Sequence, residues 1–340
     1  MRIEEMNALA IRLGRQERYR QSLMVFKLIM EGGDKRAISD IGFTYELMGE
    51  YSKARTYYEK AIKAGIPEGA YNLARFYEHG IDCPVNYSKA IEYYRISLKQ
   101  GYSEAAAKLA HFYHHGLGVK KDERMTFRMF KKGVALDRKR HTASPCIAGL
   151  SSCYEYGVGC KQSDRKTFKT NRKAVKQARS GLNLYNLAQC YIFGKGTKVN
   201  IDKALKFMYE SANKNYPDAY YQLAALYNTD GQLPKNCKQL IKNEDYTLFL
   251  LSEAYRLGSP KADLAVAEMS LSGENPSGRV DTDTAIAAIV EFQSNKYKGN
   301  SYDMENYQEL KNKYPKDIDW DDIEKDPEAY IKSNYVGAIC

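Results

Sequence analysis

The chain has 340 residues, of which 44% are hydrophobic and 28% charged, and its formal net charge is +10. Those proportions are those of a soluble, folded protein. The N-terminal stretch MRIEEMNALAIRLGRQERYRQ scatters acids and bases through short apolar runs, so neither a signal peptide nor a membrane span is expected. Seven cysteines without paired spacing argue against a disulfide framework and for a reducing compartment, with the cytoplasm as the expected location. The charge is uneven. Residues 301–340 hold ten acids against five lysines, a net −5, whereas residues 120–179 hold 17 Lys/Arg against 5 Asp/Glu, a net +12.

In chain order, residues 1–30 predict a helix pair, with Met6, Leu9, Ala10 and Leu13 followed by Tyr19, Leu23, Phe26 and Met30 at helical spacing. This pair, through residue 36, is expected to be an opening cap. From Ala37 a unit of two helices around a short turn appears, with Ile41, Tyr45, Gly49, Ala54, Tyr58 and Gly65 as landmarks. The stretch Ala70–Gly101 repeats it with a longer turn, and most of the chain is this stretch again. A leucine register runs Leu73, Leu109, Leu150, Leu187, Leu223 and, weakly, Val266. Turn glycines follow at Gly80, Gly116, Gly157, Gly194, Gly231 and Gly273. A small residue opens each second helix at Ala54, Ala90, Thr126, Thr167, Ala204, Thr247 and Ala285. Neither helix of a unit can bury its apolar stripe alone, so units must stack.

Odd spacings in the register place insertions at Asp137–Cys146 and Asn236–Asp245. In the unit Ile147–Gly181, Asn171 stands where an aromatic is expected and the second helix reads as a turn longer. The expected organisation is a capping pair at 1–36, a repeat array at 37–293 and an acidic closing segment at 294–340. That last segment has a helix bounded by Pro315 and Pro327, and its acids are expected to fold back on the basic block.

The pattern A-x-x-L-A-x-x-Y-x-x-G, a short loop, K-A-x-x-Y-Y and a closing glycine resembles the Sel1-like repeat, a relative of the tetratricopeptide repeat. The resemblance implies an all-α, right-handed solenoid of antiparallel helix pairs with the first helices lining a concave side. Carried onto this sequence, that groove would present Phe43, Tyr71, Arg75, Glu78, His79, His111, His114, His115, Tyr156, Tyr185, Gln189, Phe193 and Tyr221. Aromatics and arginine are what protein interfaces enrich. The family is one of adaptors, scaffolds, secretion-linked factors and immunity-type inhibitors. The implied role is therefore non-catalytic binding of another protein or peptide, as an adaptor or as a cytoplasmic neutraliser of a toxin or effector.

Other chemistry reads weakly. His111 and His115 have the i,i+4 spacing of zinc-binding helices, but no carboxylate or cysteine completes a set, so no metal is expected. A pH-sensitive partner contact is the better reading of the histidines. Cys153 and Cys190 fall in a core register. GKGTK at Gly194 lies in a repeat turn and lacks the ending of a phosphate loop. No cofactor and no catalysis are expected. The basic block includes Lys131, Lys132, Arg138, Arg140, Lys166, Lys169, Arg172, Lys173 and Lys176. It is either a solvated face or a patch for weak binding of nucleic acid, an acidic protein or another anionic surface. Oligomeric state is left open.

Overall fold

A computed structural model describes residues 2–140, 145–228, 244–272 and 301–314, together with positions 284, 285, 288, 289, 292, 320 and 325. Sixteen helices and no strand occur among the described residues. The chain forms two compact units, 1–178 and 179–340. The first holds α1 (Ile3–Arg15), α2 (Tyr19–Glu31), α3 (Ala37–Leu47), α4 (Tyr51–Lys63), α5 (Pro67–His79), α6 (Tyr87–Lys99), α7 (Ser103–His115), α8 (Glu123–Arg140), α9 (Cys146–Tyr156) and α10 (Asp164–Gln177). The second holds α11 (Gly181–Phe193), α12 (Ile201–Ala212), α13 (Pro217–Asn228), α14 (Glu244–Arg256), α15 (Pro260–Ser272) and α16 (Ser301–Lys313). Within each unit successive helices pack as pairs, and each pair packs on the next. This is the all-α solenoid that the repeat requires.

Close approach inside a pair depends on small residues. Ala54, Ala90, Thr126, Thr167 and Ala204, one per second helix, are all buried. Leu73, Leu109 and Leu187 in the first helices are buried as well. A leucine so placed contributes about 1.5–3 kcal/mol relative to exposure. Tyr58, Tyr94, Phe76 and Phe112 fill the space between neighbouring pairs; Tyr58 and Phe76 meet edge-on at 5.7 Å.

The longer turns share one construction. Gly80, Gly116, Gly157 and Gly194 close their first helices in the left-handed region, φ 67–74°. The chain then returns so that the N–H of the residue before each second helix donates to the carbonyl of the repeat tyrosine. These bonds are Asn86 to Tyr77 (2.8 Å), Asp122 to Tyr113 (2.8 Å), Ser163 to Tyr154 (2.8 Å) and Asn200 to Tyr191 (2.9 Å). The side chains of Asn86, Asp122 and Asn200 then accept from the amides of Lys89, Met125 and Lys203, capping the helix.

Several expectations are corrected. The added length in the middle of the chain goes to α8, at 18 residues, whereas α10 has 14. Ala178 turns to an extended backbone and stops α10 before another turn can form. Asn171 replaces the expected aromatic and is itself buried. Val266 is only partly buried; Leu264, Ala267 and Leu271 carry that part of the core. The closing helix is α16, which precedes Pro315 because proline has no N–H to continue it. Tyr307 and Leu310 of α16 join Phe292 and Trp320 in the core of the second unit. Gly231, Gly273, most of the Asn236–Asp245 insertion and all of 321–340 except Lys325 lie outside the described residues, and with them the expected fold-back of the acidic tail.

Gly159 shows how tightly the turns stack. Its φ is +63°, and a Cβ there would lie 2.0 Å from the carbonyl oxygen of Glu123 at the start of α8. Gly159→Ala should therefore destabilise the first unit by about 2–4 kcal/mol through strain and forced separation, read by chemical denaturation.

Candidate interaction face

The first helices of unit one share an exposed strip. Six residues beyond the buried Ile41, Leu73, Leu109 and Leu150, just before the turn, stand Leu47, His79, His115 and Tyr156. All four are exposed, Leu47 at 44% and Tyr156 at 72%. One helical turn earlier stand Phe43, Arg75, His111 and Ser152, with Phe43 also at 44%. In unit two the same two positions are Gln189 and Phe193, the latter exposed. Leu47 was missed in the sequence because a lone leucine before a short turn reads as core.

Other candidate residues are engaged inside the fold. Glu46 of α3 accepts from the Tyr58 hydroxyl at 2.6 Å and from Arg75 Nη2 at 3.3 Å, tying one pair to the next. Glu78 repeats this arrangement, accepting from the Tyr94 hydroxyl and from Lys108 Nζ at 3.0 Å. Burial works to raise the Glu78 carboxyl, but the bonds from Tyr94 and Lys108 outweigh it and hold its pKa below the ordinary carboxylate value. Burial and Glu78 together push the Tyr94 phenol far up. Tyr71 is half-buried edge-on to Tyr94 and Tyr102, at 5.3 and 5.1 Å. In unit two, Tyr185 packs on Tyr216 at 5.2 Å, Gln189 donates to Gln222 at 3.0 Å, and Tyr221 is half-buried.

At the next joint of unit one the set changes. His114 occupies the place of Glu46 and Glu78, Phe130 that of Tyr58 and Tyr94, and Gly149 that of Lys108. Phe130 lies so close to Gly149 that a Cβ would meet its Cε1 at 2.2 Å. Phe130 brings no hydroxyl, and the buried Nδ1 of His114 has no hydrogen-bond partner among the described residues. Burial and then His115 lower the pKa of both His111 and His114. The ring centroids of His111 and His115 are 4.4 Å apart, those of His114 and His115 4.8 Å. His79 Nε2 lies 3.7 Å from Glu78. No group of three potential metal ligands occurs among the described residues.

The Sel1 repeat profile matches residues 49–66, 67–102, 103–137, 144–169, 184–216 and 217–259, more than half of the chain. The chain belongs to the Sel1 repeat family. Among solved structures, a Sel1 repeat protein from Oxalobacter formigenes is similar, with 22% identity and a TM-score of 0.57 over 73% of this chain and 96% of that one. The protein c5321 of uropathogenic Escherichia coli, a protective antigen with an SLR fold, is 19% identical with a TM-score of 0.57. That match covers 92% of this chain and 64% of that one. At these identities the likeness is one of fold. No curated protein sequence matches.

Within the Sel1 array Cys83, Cys146, Cys153, Cys160 and Cys190 form no disulfide among the described residues. Cys153 and Cys190 are buried, and burial pushes the Cys153 thiol up to about 12, which keeps it protonated and unreactive. Cys146 packs against Gly133 and donates to the Ser103 carbonyl at 3.3 Å. On the second helices, Lys131, Lys132, Lys166, Lys169, Arg172 and Lys176 are exposed, while Lys173 is partly buried. The side chains of Arg138 and Arg140 lie outside the described residues. Lys166 covers Tyr154 at 5.3 Å and Arg172 covers Phe168 at 5.7 Å, so these rings are not open for base stacking.

The two kinds of joint respond oppositely to mutation. Tyr94→Phe should cost about 1–2 kcal/mol, since Glu78 loses a donor in a half-buried place. The lowered Glu78 pKa contributes stability that is present above the unfolded value of 4.5 and lost as pH falls through the folded value. The Tyr94→Phe penalty should therefore shrink on acidification. His114→Leu should stabilise by about 1 kcal/mol by removing the unpaired nitrogen. Its gain should grow as pH drops below 6.5, where the unfolded histidine takes up a proton that the folded one resists. Denaturation midpoints measured across pH check both signs.

Proposed function

We propose that this protein is a non-catalytic binding module, acting in the cytoplasm, that holds a partner protein or peptide against its first-helix face. The observation that carries this reading is the exposed double strip of unit one, where Phe43, Leu47, His79, His111, His115 and Tyr156 reach solvent. Beneath them Glu46 and Glu78 are bonded within the fold, so the face is rigid before a partner arrives and little ordering remains to oppose binding. Sel1 repeat proteins generally mediate protein–protein interaction, which agrees with this use. The partner would meet an apolar, aromatic rim at Phe43, Leu47 and Tyr156 and a titratable centre at the histidines. Affinity purification with the intact chain and with Phe43→Ala/Tyr156→Ala tests the reading. The double variant should lose a specific partner, with affinity falling about tenfold or more, while its melting temperature holds. A partner retained in full by the double variant would sink the proposal.

A second reading, polyanion binding through α8 and α10, is favoured by one observation. Lys131, Lys132, Lys169, Arg172 and Lys176 make no ion pair with an acid among the described residues. If phosphate backbones or acidic chains dock there, retention on heparin or DNA should fall steeply with salt and collapse in Lys131→Glu/Lys169→Glu/Arg172→Glu. Salt-independent retention, or retention unchanged by the reversal, removes this second reading.

A further inference from the structure

The other notable surface lies on the first helix pair, away from the first-helix face of the later repeats. Here Met24 and Leu28 of α2 are 66% and 55% exposed. They line, with Leu9 and Leu13 of α1, an open groove of about 660 Å³ between the two helices. On the covered side of this pair, Ala10, Phe26 and Ile29 pack into the core with Ala37 and Ile41 of α3. The groove is the side that no element of the first unit covers among the described residues.

Two features of the groove select its occupant. Every other joint in the first unit is made by a helix laid on a helix pair: α2 takes α3, α4 takes α5, α6 takes α7 and α8 takes α9. A cleft between two helices with apolar walls is therefore shaped for one more helix. The charge is one-sided. Arg12 and Arg18 line the groove, both are exposed, and neither pairs with an acid among the described residues; no acidic side chain lines it. A second copy of this chain would bring the same two arginines across a two-fold axis, setting four guanidinium groups together. A helix with acids beside its apolar stripe neutralises them instead.

We infer that the α1–α2 groove is a docking site for an amphipathic helix of a partner protein, with leucine-like side chains at i, i+3, i+4 and i+7 and carboxylates flanking that stripe. Leu9, Leu13, Met24 and Leu28 take the apolar side chains, and Arg12 and Arg18 take the acids. This site is independent of the first-helix face and can be occupied together with it.

The test uses the full chain and two fluorescein-labelled synthetic helical peptides with the same leucine stripe, one flanked by glutamates and the other by lysines, followed by fluorescence anisotropy. The glutamate peptide should bind and the lysine peptide should not. Arg12→Glu/Arg18→Glu should weaken the glutamate peptide at least about tenfold and let the lysine peptide bind, a swap that only direct charge pairing produces. Leu28→Asp should abolish glutamate-peptide binding; Leu28 is more than half exposed, and an unchanged circular-dichroism melt confirms that the variant folds. Phe43→Ala/Tyr156→Ala should leave peptide binding intact, which separates failure of this site from failure of the first-helix face. The inference is overturned by absence of glutamate-peptide binding, by binding indifferent to the charge reversal, or by a concentration-dependent dimer that Leu28→Asp dissolves.

Discussion

Close packing of a first helix against the small residue that opens its second helix is the constraint on which both units rest. Ala54, Ala90, Thr126, Thr167 and Ala204 have almost no exposed surface, and a larger side chain at any of them would push the pair apart. The turn enforces the same distance from the other end. A glycine in the left-handed region releases the chain, and the amide before the second helix returns to the tyrosine carbonyl at 2.8–2.9 Å. Because the turns at Gly118 and Gly159 also lie against the start of the preceding second helix, at Tyr87 and Glu123, spacing within a pair and spacing between pairs are set together there.

Once the spacing is fixed, the first-helix residues outside the core divide into two groups. Those toward the next pair, Glu46, Arg75, Glu78 and Lys108, satisfy one another and the hydroxyls of Tyr58 and Tyr94. Those at the end of each helix, Leu47, His79, His115 and Tyr156, are exposed to solvent. The first group holds the scaffold and the second is available for recognition. An inventory of aromatic and charged residues on one helix face mixes the two, as a set that joins Tyr71, Arg75 and Glu78 to Tyr156 does.

The joint at His114 departs from its neighbours as a set. With histidine for glutamate, phenylalanine for tyrosine and glycine for lysine, the charged staple becomes an apolar contact with one unpaired nitrogen at its edge. This joint sits beside the exposed His111 and His115, whose ring centroids lie 4.4 Å apart.

The sequence alone determined the repeat and with it the fold. Leucine, glycine and small-residue landmarks recur because each unit must bury the same stripe against the same kind of neighbour, and that necessity is written at fixed spacing. Those landmarks also foretold the buried Cys153 and Cys190. Only the tertiary structure could decide which polar residues are free. Whether Glu78 is a binding residue or a brace depends on Tyr94 and Lys108, which lie 16 and 30 positions away and come beside it through stacking. It was stacking, too, that left Leu47 and Leu28 uncovered, since periodicity records which side of a helix is apolar but not whether another helix lies against it.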